Sequence, residues 1–352
     1  MTPDLTQRLL SWYTDQRRDL PWRRSTDPYA IWVAEVMLQQ TRVQTVIPYY
    51  LRWMQTFPNV QALASAETEQ VLQAWEGLGY YRRAHGLHQA ARQIVANYNG
   101  RLPSSADELR QLPGIGPYTA AAIASIAFGQ DEIALDGNLR RVLSRLFDIS
   151  LPLGAPASEA AFRQRAAGLQ PGGRAGTFNQ ALMDLGSLVC TPATPNCGGC
   201  PLRLDCLAYQ RGVQTQRPVR PAKASLPHVQ RVAAVIERQG RYLVGRRPQG
   251  VLLGGLWEFP GTDLGDKESA DRGLARMLSA SLGLELIRAS RRGSYRHSYT
   301  HFRVTAHAFH CQIAGGPPAS NLHDELRWLQ ADELAQVPMG KIDRQIATAI
   351  SA

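Results

Sequence analysis

An all-helical domain over residues 1–210, joined to a smaller α+β domain over 228–352, is the fold class that the sequence predicts. Three observations lead there. Up to about residue 210 apolar residues recur at helical spacing, with no convincing strand. From 228 onward short alternating stretches take over. Between them lie four cysteines at 190–206 and a run from Cys206 to Ile236 without an acidic residue, where the composition changes. At 352 residues the chain is long enough for roughly two cores.

Hydrophobic content of 44% with 19% charged residues describes a globular chain rather than a disordered one. The formal net charge is +10, so an anionic partner is expected. Nucleic acid fits better than membrane, because no basic amphipathic anchor occurs and no apolar run approaches the ~18 residues of a span. The stretch Met1 to Trp22 lacks a signal-peptide core, which leads to the expectation of an intracellular, cytoplasmic protein. In that setting four clustered cysteines point to a metal centre more than to disulfides.

Taken in order, residues 5–18 read as an amphipathic helix, followed by a Leu-Pro-Trp-Arg-Arg loop that carries Arg23. Asp27-Pro28 then starts a helix running to Gln40. Glu35 is the odd residue in it, since three of its four helical neighbours, Ile31, Trp32 and Leu38, are apolar. A carboxyl so placed is partly desolvated and able to hold a proton near neutral pH; at the edge of the stripe it would reach water instead. Further helices are expected at 43–56, 67–76 and 82–98. Gly77-Leu-Gly-Tyr80-Tyr-Arg-Arg83, between the last two, suits a loop that meets DNA and equally a loop pinned by its own tyrosines.

Leu112-Pro-Gly114-Ile-Gly116 compresses a turn between two helical segments, and the Ala-rich helix from Thr119 to Phe128 begins directly on it. Amides at such a helix start can hold a phosphate, although the pentapeptide alone fits a plain connector as well. Asp136 follows in an Asp-Gly-Asn138 turn before a basic helix that includes Arg140, and it doubles as a candidate N-cap. Helices at 156–169 and 175–188 lead into Cys190, Cys197, Cys200 and Cys206. Four thiolates at that spacing suit a tetrahedral zinc or a [4Fe–4S] cluster. Residues 211–227 read as an extended basic linker stiffened by proline, where the domain boundary falls.

Beyond the linker, Val229–Ile236 and Tyr242–Gly245 flank a hairpin signature. A helix is expected at 267–282, alternating stretches at 285–289 and 301–310, and a closing helix at 341–351. Five arginines and four histidines lie between 288 and 310, interleaved with aromatic residues. They fit a solvated strand face or a nucleic-acid contact, and the net charge favours the contact. Cys311 stands alone and reads as buried.

Together these residues resemble the MutY-type adenine DNA glycosylases, members of the helix-hairpin-helix superfamily to which endonuclease III also belongs. The carrying motifs are Leu20-Pro-Trp-Arg, Glu35-Val-Met-Leu-Gln-Gln-Thr-Arg, Gly77-Leu-Gly-Tyr-Tyr, Leu112-Pro-Gly-Ile-Gly, Leu135-Asp-Gly-Asn and the four cysteines, spanning residues 20–206. The resemblance implies an all-α helix-hairpin-helix glycosylase domain whose cysteine loop holds [4Fe–4S]. It also implies a C-terminal Nudix-like domain, to which Gly254-Gly-Leu-Trp-Glu-Phe-Pro-Gly261 corresponds. The helix from Arg272 lacks the acidic cluster that a magnesium-dependent pyrophosphatase needs, which argues against nucleotide hydrolysis.

Residue roles follow from the same resemblance. Glu35 is implied as the general acid that protonates adenine, and Asp136 as the carboxylate facing the sugar cation, with Tyr118, Asn138 and Arg23 positioning them. Leu38, Gln40 and Tyr80 are implied to contact the DNA stack, and Gly114, Gly116 and Arg140 its backbone. Tyr299, Thr300 and His301 stand where relatives carry a Phe-Ser-His loop that reads 8-oxoguanine. Tyr118 occupies the place of the Schiff-base lysine of strand-cutting relatives, and a phenol forms no imine, so a monofunctional enzyme is expected. The implied partner is duplex DNA with adenine opposite 8-oxoguanine or guanine, bound by a monomer associated with a bacterial nucleoid.

Overall fold

In the computed structural model, which describes residues 3–221 and 225–351, the chain separates into two compact units. One is Met1–Ser65 with Gly86–Lys223, the other Ala66–His85 with Ala224–Ala352.

The first unit is helical. Its elements are α1 (Pro3–Gln16), α2 (Pro28–Leu38), α3 (Val43–Thr56) and α4 (Val60–Ser65). After the short helix α5 (Thr68–Trp75), which belongs to the second unit, α6 (Arg82–Asn97) begins in the second unit and runs back into the first. Then follow α7 (Ala106–Leu109), α8 (Pro117–Phe128), α9 (Gly137–Leu146), α10 (Pro156–Ala167), α11 (Ala175–Leu188) and α12 (Leu207–Gln210). Helix α1 stops before the predicted residue 18, because the Arg18 amide donates to the Asp184 carboxylate and Pro21 disfavours helix at Leu20.

Helix α2 is apolar on every side, and Tyr29 through Met37 are all buried, the pattern of a central helix. Asp27 caps it by accepting from the Tyr29 amide at 3.0 Å, with Pro28 at the first helical position. It packs against α8, whose small buried residues from Thr119 to Ser125 let the two backbones come close. A leucine-rich core of Leu5, Leu9, Leu139, Leu143, Phe178 and Leu182 joins α1, α9 and α11. The first half of the predicted linker is not free: Asp148 pairs with Arg211 and Arg217, and the Leu153 amide donates to Val219 at 2.9 Å. Residues 222–224 of that linker lie outside the described residues.

The second unit is a mixed sheet between two helices. Strands β1 (His228–Arg238), β2 (Arg241–Arg246), β3 (Trp257–Glu258), β4 (Gly261–Asp263), β5 (Glu285–Ser298), β6 (Arg303–Ala314) and β7 (Glu325–Leu329) build it. The order is β3-β2-β1-β6-β5, with β4 on β1 and β7 on β2; β1 and β6 run parallel. Strand β1 carries a continuous buried run from Val232 to Ile236, as a central strand requires. Helix α13 (Ala270–Met277) covers one face, with Leu274 and Met277 against Val232, Ala234 and Phe309. Helix α14 (Lys341–Ser351) covers the other, with Ile342 and Ile346 against Val235, Val304 and Ala308. Strand β5 is far longer than the predicted 285–289, because two register shifts break its alternation.

Residues 66–85 fold with this sheet rather than with the helices beside them in sequence. The Trp257 indole donates to Glu69 at 3.0 Å, Arg344 pairs with Glu76, and the Tyr81 hydroxyl donates to the Met339 carbonyl at 3.2 Å.

Candidate active site

The site in the first unit starts from a buried acid. Glu35, 5% exposed on α2, accepts from the Tyr118 hydroxyl at 2.6 Å, and Tyr118 stands on the first turn of α8. Burial pushes the Glu35 carboxyl up to about 7; the Tyr118 hydrogen bond opposes this and the Asp136 charge adds to it. The alternative of an edge glutamate reaching water does not hold in the structure. Gln39 of the same helix end donates to Thr119 at 3.0 Å and fixes α2 to α8 there.

Asp136 is the N-cap of α9, accepting from the Leu139 amide at 2.7 Å and from Asn138 Nδ2 at 2.8 Å. Burial raises its pKa while those two donors favour the anion. Asn138 is itself held, since its Oδ1 accepts from Arg141 Nη2 at 2.8 Å. Arg141 also donates to the carbonyls of Gly186 and Cys190, so it connects the Asp136 turn to the start of the cysteine loop. Arg23 pairs with neither acid, although its charge opposes the rise in the Glu35 pKa. It pairs with Asp184, at 2.6 Å from Nη1, and Arg18 shares the same carboxylate. Asp184 has a fully buried side chain; burial raises its pKa, but the two arginines outweigh that and hold it below the ordinary value.

Gly114 and Gly116 lie in the hairpin between α7 and α8, with Gly116 as the N-cap of α8. Gly114 has φ +77° and touches Gly86 of α6: a Cβ on either would sit 3.1 Å from the other's Cα. The hairpin therefore presents exposed backbone at a position set by a glycine–glycine contact. Leu38 ends α2 and Gln40 lies two residues beyond it, exposed at φ +56°. Arg140 is occupied by Glu159, through two hydrogen bonds of 2.8 Å.

The four cysteine side chains are all unbridged, and they ring a shallow recess that Arg145 and Gln214 also line. Among the described residues no three His, Cys, Asp or Glu side chains are arranged to hold a single metal ion. The lining offers sulfur and no carboxylate, a donor set that suits zinc or an iron–sulfur cluster. Arg145, 2% exposed, donates to Cys190 Sγ at 3.3 Å and to the carbonyls of Thr191, Pro192 and Arg217. Burial pushes the Cys200 thiol up to about 12.

In the second unit, Tyr299, Thr300 and His301 form the turn between β5 and β6. Tyr299 is pinned by stacking on Phe302 at 4.8 Å and by an edge contact from His297 at 4.7 Å, leaving Thr300 and His301 exposed. Tyr80, in the same unit, is hydrogen bonded to Thr300 Oγ1 at 2.6 Å through its hydroxyl. On α13 no acidic cluster exists; Glu268, just before it, pairs with Arg276.

Sequence reasoning missed Asp184, Arg141 and Gly86. Asp184 had a signal of the same kind as Glu35, a lone acid in the apolar run Ala181-Leu-Met-Asp-Leu-Gly. The lysines were a second overlooked signal: all three, Lys223, Lys267 and Lys341, lie after residue 222.

Two family models match the chain, a HhH-GPD superfamily base excision DNA repair protein over residues 33–162 and a NUDIX domain over 231–349. The human adenine DNA glycosylase is 37% identical over 385 residues, covering 92% of this chain and 70% of that protein. The enzyme of that name from Mus musculus is 37% identical, over 96% of this chain and 76% of its own. Among solved structures, a thermostable thymine-DNA glycosylase aligns with TM-score 0.52 and 29% identity, over 58% of this chain and 95% of that one. An endonuclease III–DNA complex aligns at TM-score 0.52 and 22% identity, over 61% and 99%, and shows the same fold. With a buried acid on α2, a capping aspartate on α9 and relatives that match both units, the chain belongs to the adenine DNA glycosylase family of base excision repair enzymes.

Proposed function

We propose that the chain removes adenine paired with 8-oxoguanine or guanine, by hydrolysis of the N-glycosidic bond without cutting the strand. The observation that carries this is Glu35, buried, pushed up to about 7 and hydrogen bonded by Tyr118. A carboxylic acid that still holds its proton near neutral pH can give it to the purine's five-membered ring and make adenine a leaving group. Flipping the base costs a few kcal/mol, and Gln40 and Tyr80 are the residues proposed to enter the stack, with Leu38 beside Gln40. Burial raises the Asp136 pKa, and the backbone amide and Asn138 that donate to it work the other way, favouring the anion that is proposed to face the developing oxocarbenium-like sugar. Tyr118 is proposed to position the acid through its hydrogen bond, and Arg23 to act on it by charge from its pair with Asp184. Amides at Gly114 and Gly116 would take a backbone phosphate, and Arg140, exchanging its Glu159 partner for phosphate, would contact the DNA backbone.

The monofunctional reading rests on amine chemistry. An imine needs a primary amine, and no lysine stands in residues 1–222. Tyr118 cannot substitute, being a phenol committed to Glu35. Tyr299, Thr300 and His301 are proposed to read the base opposite adenine, the exposed Thr300 and His301 offering hydrogen bonds and the pinned Tyr299 a ring. The molecule is proposed to act as a monomer at the bacterial nucleoid, where its substrate lies.

Cys190, Cys197, Cys200 and Cys206 are proposed to hold [4Fe–4S], supported by the recess and its sulfur lining. When bound, the cluster would staple the 190–206 loop by replacing thiol protons with iron. Arg145 would donate to the Cys190 sulfur and steady the loop's carbonyls. Iron and sulfide analysis tests this, and stoichiometric zinc without iron would refute it.

The deciding experiment for the reaction is base release from a duplex with adenine opposite 8-oxoguanine, resolved with and without hot alkali. Strand cleavage only after alkali is expected. Cleavage without alkali would overturn the monofunctional assignment, and no cleavage in either lane would overturn base release itself.

A further inference from the structure

The loop that presents Tyr80 is held from beneath by one buried arginine. Arg83, on the first turn of α6 and 6% exposed, donates from Nη2 to the carbonyls of Leu78 at 3.3 Å and Gly79 at 3.0 Å. Its guanidinium lies 5.0 Å from the Trp75 ring centroid and 5.6 Å from that of Tyr80. The Trp75 indole donates to the same Gly79 carbonyl at 3.0 Å. This backbone needs holding, because Gly77, Gly79 and Tyr80 have φ of +97°, +73° and +50°. For a tyrosine that conformation is uncommon and persists only where the surroundings impose it. On the far side of the ring the hydroxyl meets Thr300. The phenol is thus fixed at both ends while the residue stays 38% exposed.

Taking a guanidinium out of water is expensive, and the carbonyls of Leu78 and Gly79 with the Trp75 and Tyr80 rings are among the groups that offset it. A residue kept only to fill the core would more cheaply be apolar. Resting on the reading of Tyr80 as a residue that enters the DNA stack, we infer that Arg83 is a positioning residue for Tyr80. It imposes the outward, left-handed conformation before DNA arrives, so the ring is not ordered at the expense of binding. Arg83 acts on DNA only through the tyrosine.

The test is a double-mutant cycle in the full chain. Arg83→Met and Arg83→Lys are made alone and with Tyr80→Ala, on a duplex carrying 2-aminopurine opposite 8-oxoguanine, whose fluorescence rises on unstacking. Arg83→Met is expected to weaken binding roughly tenfold and to suppress the rise, the scale of one lost base–aromatic stack. Arg83→Lys, able to reach one carbonyl, recovers part of it. In the Tyr80→Ala background neither change at Arg83 has a further effect. A merely structural role would lower Tm and add its loss in both backgrounds. Equal losses with and without Tyr80, or normal unstacking by Arg83→Met, would overturn the inference. If Arg83→Met does not fold, Arg83→Lys carries the same comparison. Adenine release by the unmodified chain is measured alongside; its absence sinks the glycosylase reading and leaves the cycle, read by binding and fluorescence, to decide Arg83.

Discussion

Two buried glutamates, one in each unit, differ in whether cations are allowed to reach them. Glu258, on β3, accepts from His323 at 3.1 Å and from Arg247 and Arg231. Burial pushes it up, but those three donors outweigh burial and hold it below the ordinary value. Glu35 is as deeply placed and receives a neutral phenol instead. Arg23, whose charge still works against the rise, is hydrogen bonded to Asp184 rather than to Glu35. With burial as the main cause and no ion pair to offset it, its proton survives to about pH 7. An acid becomes reactive here by having its cations withheld, and an acid with all its cations becomes an anchor.

Substitutions can break that contrast. The largest effect is expected from Glu35→Gln or Asp136→Asn, each lowering single-turnover base release by ~10²–10⁴ while DNA binding persists. A near-normal rate in either would remove that residue from the chemistry. Glu258→Gln should leave the chemistry intact and cost ~3–5 kcal/mol of stability, since it strands buried cations; equilibrium denaturation in urea reads it, and an unchanged midpoint would deny the anchor role.

For Glu35 the stability sign is reversed. Its folded pKa is raised, so the folded state keeps a proton that the unfolded state releases between about pH 4.5 and 7, and stability falls as pH rises through that window. Glu35→Gln should thus gain up to about 3 kcal/mol at pH 8 and nothing at pH 4. Equal effects at both pH values would contradict it.

The finest test moves the alkaline limb of the rate profile. Tyr118→Phe removes a hydrogen bond that favours the Glu35 anion, so the limb should shift to higher pH. Asp184→Asn unmasks Arg23, whose charge also favours the anion, so the limb should shift to lower pH, by less than about one unit. Shifts of the same sign would show that the diverted arginine does not matter.

How much of this was legible beforehand depended on whether a signal was local. Glu35 stood out because helical spacing alone puts apolar neighbours around it, and Asp136 because an N-cap is a matter of three residues. Asp184 pairs with Arg23 across most of the helical unit, a partnership no window on the chain reveals. Gly86 reads as an ordinary helix residue until the hairpin is folded against it. In the sheet, β1 was visible as the first arm of the hairpin signature around residues 238–241. Strand β5 was cut short because its two register shifts scramble the period of two on which a strand reading depends. The short β3, β4 and β7 are defined by their pairing rather than by their residues.

The excursion of residues 66–85 into the second unit has a consequence for how the protein can be divided. The chain passes between units at 65–66, returns at 85–86 and crosses again at 223–224. A protease nick in the linker would therefore not release two self-sufficient halves. The C-terminal fragment would depart without Glu69 and Glu76, leaving Trp257 without its acceptor and Arg344 without its carboxylate. The N-terminal fragment would carry α5 without the sheet it folds with. The two pieces would behave as a complementing split protein, each holding a part the other needs to fold.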